Sequence, residues 1–348
     1  MRQGMLLGLL ILLLAGCGVS GPTPAPTQLP PPTPRPRTAV PTAIPTERPV
    51  WTEAPLSGLP ANPPISLWPP LAVVIPSDSG QYGMSQASVV YEAVTEGAVP
   101  RFLAIFEQVR ASKIGPVRST RPYLVEWACP YGALFVHWGG SPESLKMLAE
   151  SDCLYNLEGM VYEGAYFWRE TDPQVPWNSL FTRSDHLYNY LDAWGLYRFI
   201  NYQGYIHKDD APLEDRPLTQ TVSIPNAFSY PVRYVYEAQE NVYRREVQGR
   251  PHLDLLTGEQ HRVKNVVVIF VPQELIPGDE AGRMRMETVG EGEALIFRDG
   301  RAVRGRWSRE NTSSEMRFYD PEGREIAFNR GNLWIEVLAP GQKVEVVP

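Results

Sequence analysis

The chain has 348 residues, 43% hydrophobic and 20% charged, with a net charge of −7, long enough for about two domains with buried cores. Seventeen of its 35 prolines fall in the first 70 residues, which carry four basic and two acidic side chains and leave 28 basic against 37 acidic for the body. An acidic body excludes broad nucleic-acid binding, which needs a positive field, but leaves room for one local cationic pocket.

Arg2 precedes an apolar run over residues 5–15. That run is too short to span a bilayer of about 30 Å as a helix and has the length of a signal-peptide core. It ends Leu14-Ala15-Gly16-Cys17, which resembles the lipobox of bacterial lipoproteins. Residues 1–16 are thus expected to be removed and Cys17 to be lipidated, which implies a chain held to the membrane through its N-terminal lipid and facing the extracytoplasmic side of the cell envelope. Residues 17–64 are rich in Pro, Thr and Ala. They bury too little to offset chain entropy, so the composition predicts a disordered, extended tether.

Residues 65–208 are predicted to form an N-terminal mixed α/β domain. Short apolar runs at 71–75, 89–95, 101–107 and 132–138, each bounded by Gly, Pro or charge, predict strands. The last runs into Gly139-Gly140-Ser141-Pro142-Glu143, where Ser141 suits an N-cap and Pro142 a first helical turn, so a helix is expected over 142–150. The charged, proline-bearing stretch 209–222 is taken as a connection. Over 223–348 the period changes to two. Strands are expected at 265–272, at 294–297 and 302–307 around Asp299-Gly300, at 316–319 and 325–328 around Pro321-Glu322-Gly323, and at 333–338. The fold class is therefore α+β, a mixed α/β domain followed by a mostly antiparallel β domain.

Several stretches in order resemble the YerB family of bacterial lipoproteins, a group filed as a domain of unknown function. They include Met84-Ser85-Gln86-Ala87-Ser88-Val89-Val90-Tyr91-Glu92, Arg101-Phe102-Leu103-Ala104-Ile105-Phe106, Lys113-Ile114-Gly115-Pro116-Val117-Arg118-Ser119-Thr120-Arg121-Pro122-Tyr123 and His137-Trp138-Gly139-Gly140-Ser141-Pro142. Gly249-Arg250-Pro251-His252-Leu253-Asp254 and Gly331-Asn332-Leu333-Trp334-Ile335 extend the match to the second half. The resemblance implies a two-domain, membrane-anchored envelope protein without an established activity. The chain departs from the family pattern at Pro176-Trp177-Asn178, in place of Pro-His-Asn, and at Pro76-Ser77.

The candidate chemistry gathers around Lys113, Arg118 and Arg121, with Arg101 at a strand start and Arg169 and Arg183 downstream. Guanidinium forks match phosphate and carboxylate, so Arg118 and Arg121 are candidate clamps for an anionic or glycan-bearing envelope ligand. Gly139, Gly140 and the amides after Ser141 could add backbone donors. The competing reading pairs the arginines with Glu92, Glu96 or Glu126 as structural salt bridges. Glu92 and Glu96, on one face of a predicted strand, would stand about 13 Å apart, too far for a carboxylate pair. There, one would answer an arginine and the other meet solvent.

His137, at a strand end before the glycines, is the one histidine placed like a ligand or base. No histidine spacing predicts a metal site, and no cofactor is expected. Cys129 and Cys153 are either bridged or two buried free thiols. Two other functions remain in view: a non-enzymatic interaction module, and a cell-wall glycopolymer transferase or hydrolase using Glu92 or His137 as acid or base.

Overall fold

The computed structural model describes residues 51–65, 68–170, 178–196 and 202–347. The signal segment, Cys17 and most of the tether lie outside the described residues. At its C-terminal end the tether expectation needs correcting. Trp51–Glu53 and Pro60–Ile65 pair as an antiparallel hairpin, Leu56 is buried, and its N–H donates to Glu107 Oε1 at 2.8 Å. Ala54 and Leu56 both join the main core cluster.

The core is organised by one ten-stranded sheet. Its strands are β1 (Leu71–Pro76), β2 (Val89–Val94), β3 (Pro100–Phe106), β4 (Leu134–His137), β5 (Tyr155–Glu158), β6 (Asn265–Phe270), β7 (Gly290–Arg298), β8 (Arg301–Arg309), β9 (Arg317–Tyr319) and β10 (Leu333–Leu338). Their spatial order is β9-β8-β7-β6-β10-β2-β3-β1-β4-β5. The two stretches read as separate domains therefore share one sheet, because β10 pairs in parallel with both β6 and β2. The hairpins of the second half are antiparallel as their turns predict, but β6 and β10 are not. Both are buried almost throughout and apolar but for Asn265 and Glu336, as befits parallel strands covered on both faces. Sheet-rich α+β is the class observed.

Among the described residues three α-helices accompany the sheet: α1 (Pro122–Ala128), α2 (Pro142–Glu150) and α3 (Ser184–Ala193). One apolar cluster joins Tyr123, Leu124 and Trp127 of α1 to Tyr91, Leu103 and Ile105. A second joins Val90, Phe102 and Ala104 on the opposite sheet face to Leu187 and Leu191 of α3 and to Val222, Tyr234 and Tyr243. The last three come from a smaller sheet built on Thr221–Ile224, Val232–Glu237 and Val242–Val247. The period of two along β2 and β3 thus decides which side chains meet which layer.

The pairing directions send β1, β2, β4 and β5 the same way and β3 the other. The carboxyl ends of four strands and the start of β3 therefore share one edge. In open α/β sheets ligands bind outside such an edge.

Candidate functional site

The arginine motif is drawn into that edge by its own apolar residues. The β1–β4 ladder stops at Val73↔Val136. Beyond it Arg118 N–H donates to Val74 O (2.9 Å) and Arg118 O accepts from Trp138 N–H (3.0 Å), so residues 117–121 enter between the two strands. Ile114 and Val117, both buried, anchor this insertion, and Arg118 and Arg121 are delivered to the sheet edge.

Three arginines meet around one carboxylate there. Arg121 grips Glu96 bidentately, Nε to Oε1 at 2.6 Å and Nη2 to Oε2 at 2.5 Å, and Nη1 donates to Thr120 O. Arg101 Nη2 stands 4.0 Å from the same Glu96 Oε2, while its buried Nη1 has no hydrogen-bond partner. Burial, reinforced by the like charge of Arg121, brings the Arg101 guanidinium down to about 10. Half-buried Arg118 is lowered as well, by burial first and by Arg121, against an opposing pull from Asp78. Among the described residues no ion pair is made by Arg118; its guanidinium lies 5.8 Å from the Trp138 ring centre. Glu96 is the mirror case. Burial alone would raise its carboxyl, but Arg121 and Arg101 together hold it below the ordinary range.

The remaining candidates find partners inside the fold. Lys113 pairs with Glu170 at 2.6 Å and lies over Tyr82 and Phe181. Arg169 is held by Glu163 and donates to Ser179 Oγ, yet its guanidinium also lies 4.9 Å from the Trp138 ring. His137 is fully buried. Its Nδ1 donates to Gly139 O, and its Nε2 lies 2.8 Å from Asn156 Oδ1. Gly139 N–H donates to Glu158 Oε1. Ser141 caps α2 by accepting from Ser144 N–H, and a side chain at Gly140 would collide with Ser144 and Thr120. In this structure His137, Gly139, Gly140 and Ser141 make these contacts within the fold and shape the turn beside the arginines. Arg183 is exposed at the start of α3. Cys129 and Cys153 are bridged, with Cα atoms 5.3 Å apart.

Glu92 and Glu96 also need correcting, since both answer arginines and neither shares a strand face with the other: β2 ends at Val94. Glu92 accepts from Arg245 Nη2, Tyr230 OH and Trp334 Nε1. Across the β2–β10 ladder it stands opposite Glu336, and Glu92, Arg245 and Glu336 are all sealed from solvent. Burial and the adjacent Glu92 push the Glu336 carboxyl well above its usual range, and it accepts from Tyr234 OH at 2.6 Å. His252 is held neutral by burial and by Arg245, so its Nδ1 accepts from Arg245 and its Nε2–H donates to Gln81 Oε1. This cluster ties the smaller sheet to the main one. Sequence reasoning missed it, although a glutamate inside Leu-Trp-Ile-Glu-Val-Leu was a signal, because a buried carboxyl demands a partner. Glu92 and His137 are both sealed from solvent in this arrangement.

Comparison with known proteins matches this organisation. Residues 56–196 match the model described as "Protein of unknown function (DUF3048) N-terminal domain", and residues 221–335 match its C-terminal domain. A relative named "Putative lipoprotein YerB", from Bacillus subtilis (strain 168), is 29% identical over 291 residues, 82% of this chain and 86% of that one. The crystal structure of the YerB protein from Bacillus subtilis superposes with a TM-score of 0.74 at 26% identity, covering 85% of this chain and 99% of that one. Matched by both domain models and by this shared fold, the chain belongs to the DUF3048, YerB-like family.

Proposed function

We propose that this chain is a lipid-anchored protein of the cell envelope that binds an anionic envelope ligand at the carboxyl edge of its main sheet. Arg118 and Arg101 are the contacting cations, and Arg121 is fixed beside them by Glu96. The observation that carries this reading is the charge arithmetic at one place: three guanidinium groups around a single gripping carboxylate, with Arg101 Nη1 orphaned and Arg118 unpaired among the described residues. A purely structural cluster would pair its charges, since a buried unpaired cation is costly. The lipobox at Cys17 and the name of the Bacillus subtilis relative support the anchor.

The test is thermal melting of the full-length chain in detergent, with inorganic phosphate against chloride at matched ionic strength. At about ten times its Kd, phosphate stabilises by about 1.4 kcal/mol, a rise of a few degrees. Arg118→Gln should abolish the rise and Lys113→Gln, whose charge Glu170 already holds, should keep it. An undiminished rise in Arg118→Gln would overturn the assignment.

A further inference from the structure

Beside the two available guanidinium groups lie three more buried polar atoms without a hydrogen-bond partner among the described residues: Ser79 Oγ, Asn178 Oδ1 and Trp138 Nε1. Buried polar atoms are paired in about nine cases in ten, so four orphans, counting Arg101 Nη1, in one connected arc is a local anomaly. The arc is continuous. Asn178 Nδ2 donates to Asp78 Oδ1 at 2.9 Å, Asp78 adjoins Ser79 and acts electrostatically on Arg118, and Arg118 and Arg169 both lie within 6 Å of the Trp138 ring centre. It opens to solvent at exposed Asp78 and at half-buried Ser79, Arg118 and Trp138.

The kinds of orphan differ, and that difference defines the partner. The indole and guanidinium N–H groups need acceptors, the Asn178 carbonyl needs a donor, and the Ser79 hydroxyl takes either. A bare anion only accepts, so it leaves Asn178 unanswered. Hydroxyl groups do both. The charge balance adds a second constraint: three arginines against Glu96 and Asp78 leave one positive charge, which suits a monoanion.

Resting on the anion-binding reading above, we infer that the ligand is a sugar bearing a single negative charge, as a carboxylate or a phosphodiester. Its charge meets Arg118 and Arg101. Its hydroxyls meet Asn178, Ser79 and the Trp138 N–H, and its C–H face lies against the half-exposed indole.

Isothermal titration of the full-length chain in detergent tests this with glucuronate, methyl glucose 1-phosphate diester, acetate, dimethyl phosphate and neutral methyl glucoside. At least one charged sugar should bind about tenfold or more tighter than the bare anion of the same group, and the pair that does so identifies carboxylate or phosphodiester. Trp138→Phe, which keeps the ring and loses the N–H, and Asn178→Ala should each weaken the charged sugar by about tenfold, the worth of one hydrogen bond to a charged or orphaned group. Neither should change binding of the bare anion, whereas Arg118→Gln should weaken both. Should Asn178→Ala fail to fold, Trp138→Phe decides. Equal affinity for sugar and bare anion overturns this inference and leaves the anion reading standing; binding of neither overturns both. Charged-sugar affinity unchanged in Trp138→Phe overturns the placement.

Discussion

Replacing Glu96 by glutamine removes one negative charge from a nest of three guanidinium groups while keeping the side chain's shape. In the native arrangement Arg121 donates two hydrogen bonds to it, at 2.6 and 2.5 Å, and Arg101 approaches to 4.0 Å. The two gripping side chains are 10% and 22% exposed, so the pair lies between a surface bridge, worth about 0–1 kcal/mol, and a sealed one, whose breaking costs about 3–5 kcal/mol. E96Q should therefore cost about 2–3 kcal/mol, which lowers Tm by about 3–5 °C in a chain of this size. The variant also gains a positive charge where anions are proposed to bind, so sulfate should recover more of its Tm than of the wild type's.

The pH dependence has a definite sign. The Glu96 carboxyl is depressed in the folded state, so its contribution is present above the ordinary carboxylate pKa and is lost as pH falls through the lowered value. E96Q should lack that acid limb. Calorimetry of both proteins across pH, in chloride and in sulfate, measures all three effects. A Tm unchanged at neutral pH, with identical sulfate responses, would refute the reasoning.

Three further outcomes follow from the buried charges and the disulfide. Glu92→Gln should cost about 3–5 kcal/mol by leaving Arg245 buried without its main partner, whereas Glu336→Gln should cost under about 1 kcal/mol because burial and Glu92 already favour the neutral form of Glu336. With its pKa raised, folded Glu336 keeps a proton that the unfolded chain loses, so wild-type stability should fall as pH rises above the ordinary carboxylate range. Denaturation midpoints should show Glu336→Gln gaining on the wild type as pH rises above the ordinary carboxylate range. Asp299 is brought down to about 2: burial opposes this, but Lys208, Asn241, Ala211 N–H and Asn329 prevail. Asp299→Asn should thus cost about 2 kcal/mol at neutral pH and remove stability otherwise lost as pH falls from about 4 towards 2. Reduction of Cys129–Cys153, separated by 24 positions, should cost about 3 kcal/mol, read as a lower Tm with reductant and no change in a Cys129→Ala, Cys153→Ala double variant.

What the sequence disclosed was mostly local. The N-cap at Ser141 set the start of α2, which runs over Pro142–Glu150 as expected. Asp299 and Gly300 adopt φ of 50° and 67°, the left-handed pair that a two-residue hairpin requires between β7 and β8. By contrast, α1 hid because five of its seven residues are buried, leaving no polar face to create a period. The ladder of β10 against β2 joins residues some 240 positions apart, and no local pattern specifies such a partner. The same divide runs through the site. The cluster of cations near Arg118 was visible as composition, and Glu96 as one of several partners for it. Which arginine Glu96 would grip, and which polar atoms would be orphaned around the rest, depends on the insertion of residues 117–121 between β1 and β4, a tertiary event.

The central claim is that Arg118 and Arg101 hold an anion at the carboxyl edge of the main sheet, and the position of a heavy oxyanion tests it most directly. Crystals of the chain soaked in tungstate should show an anomalous peak within hydrogen-bond reach of both guanidinium groups, lost in Arg118→Gln. A peak bound elsewhere, with these two groups bare, would contradict the account.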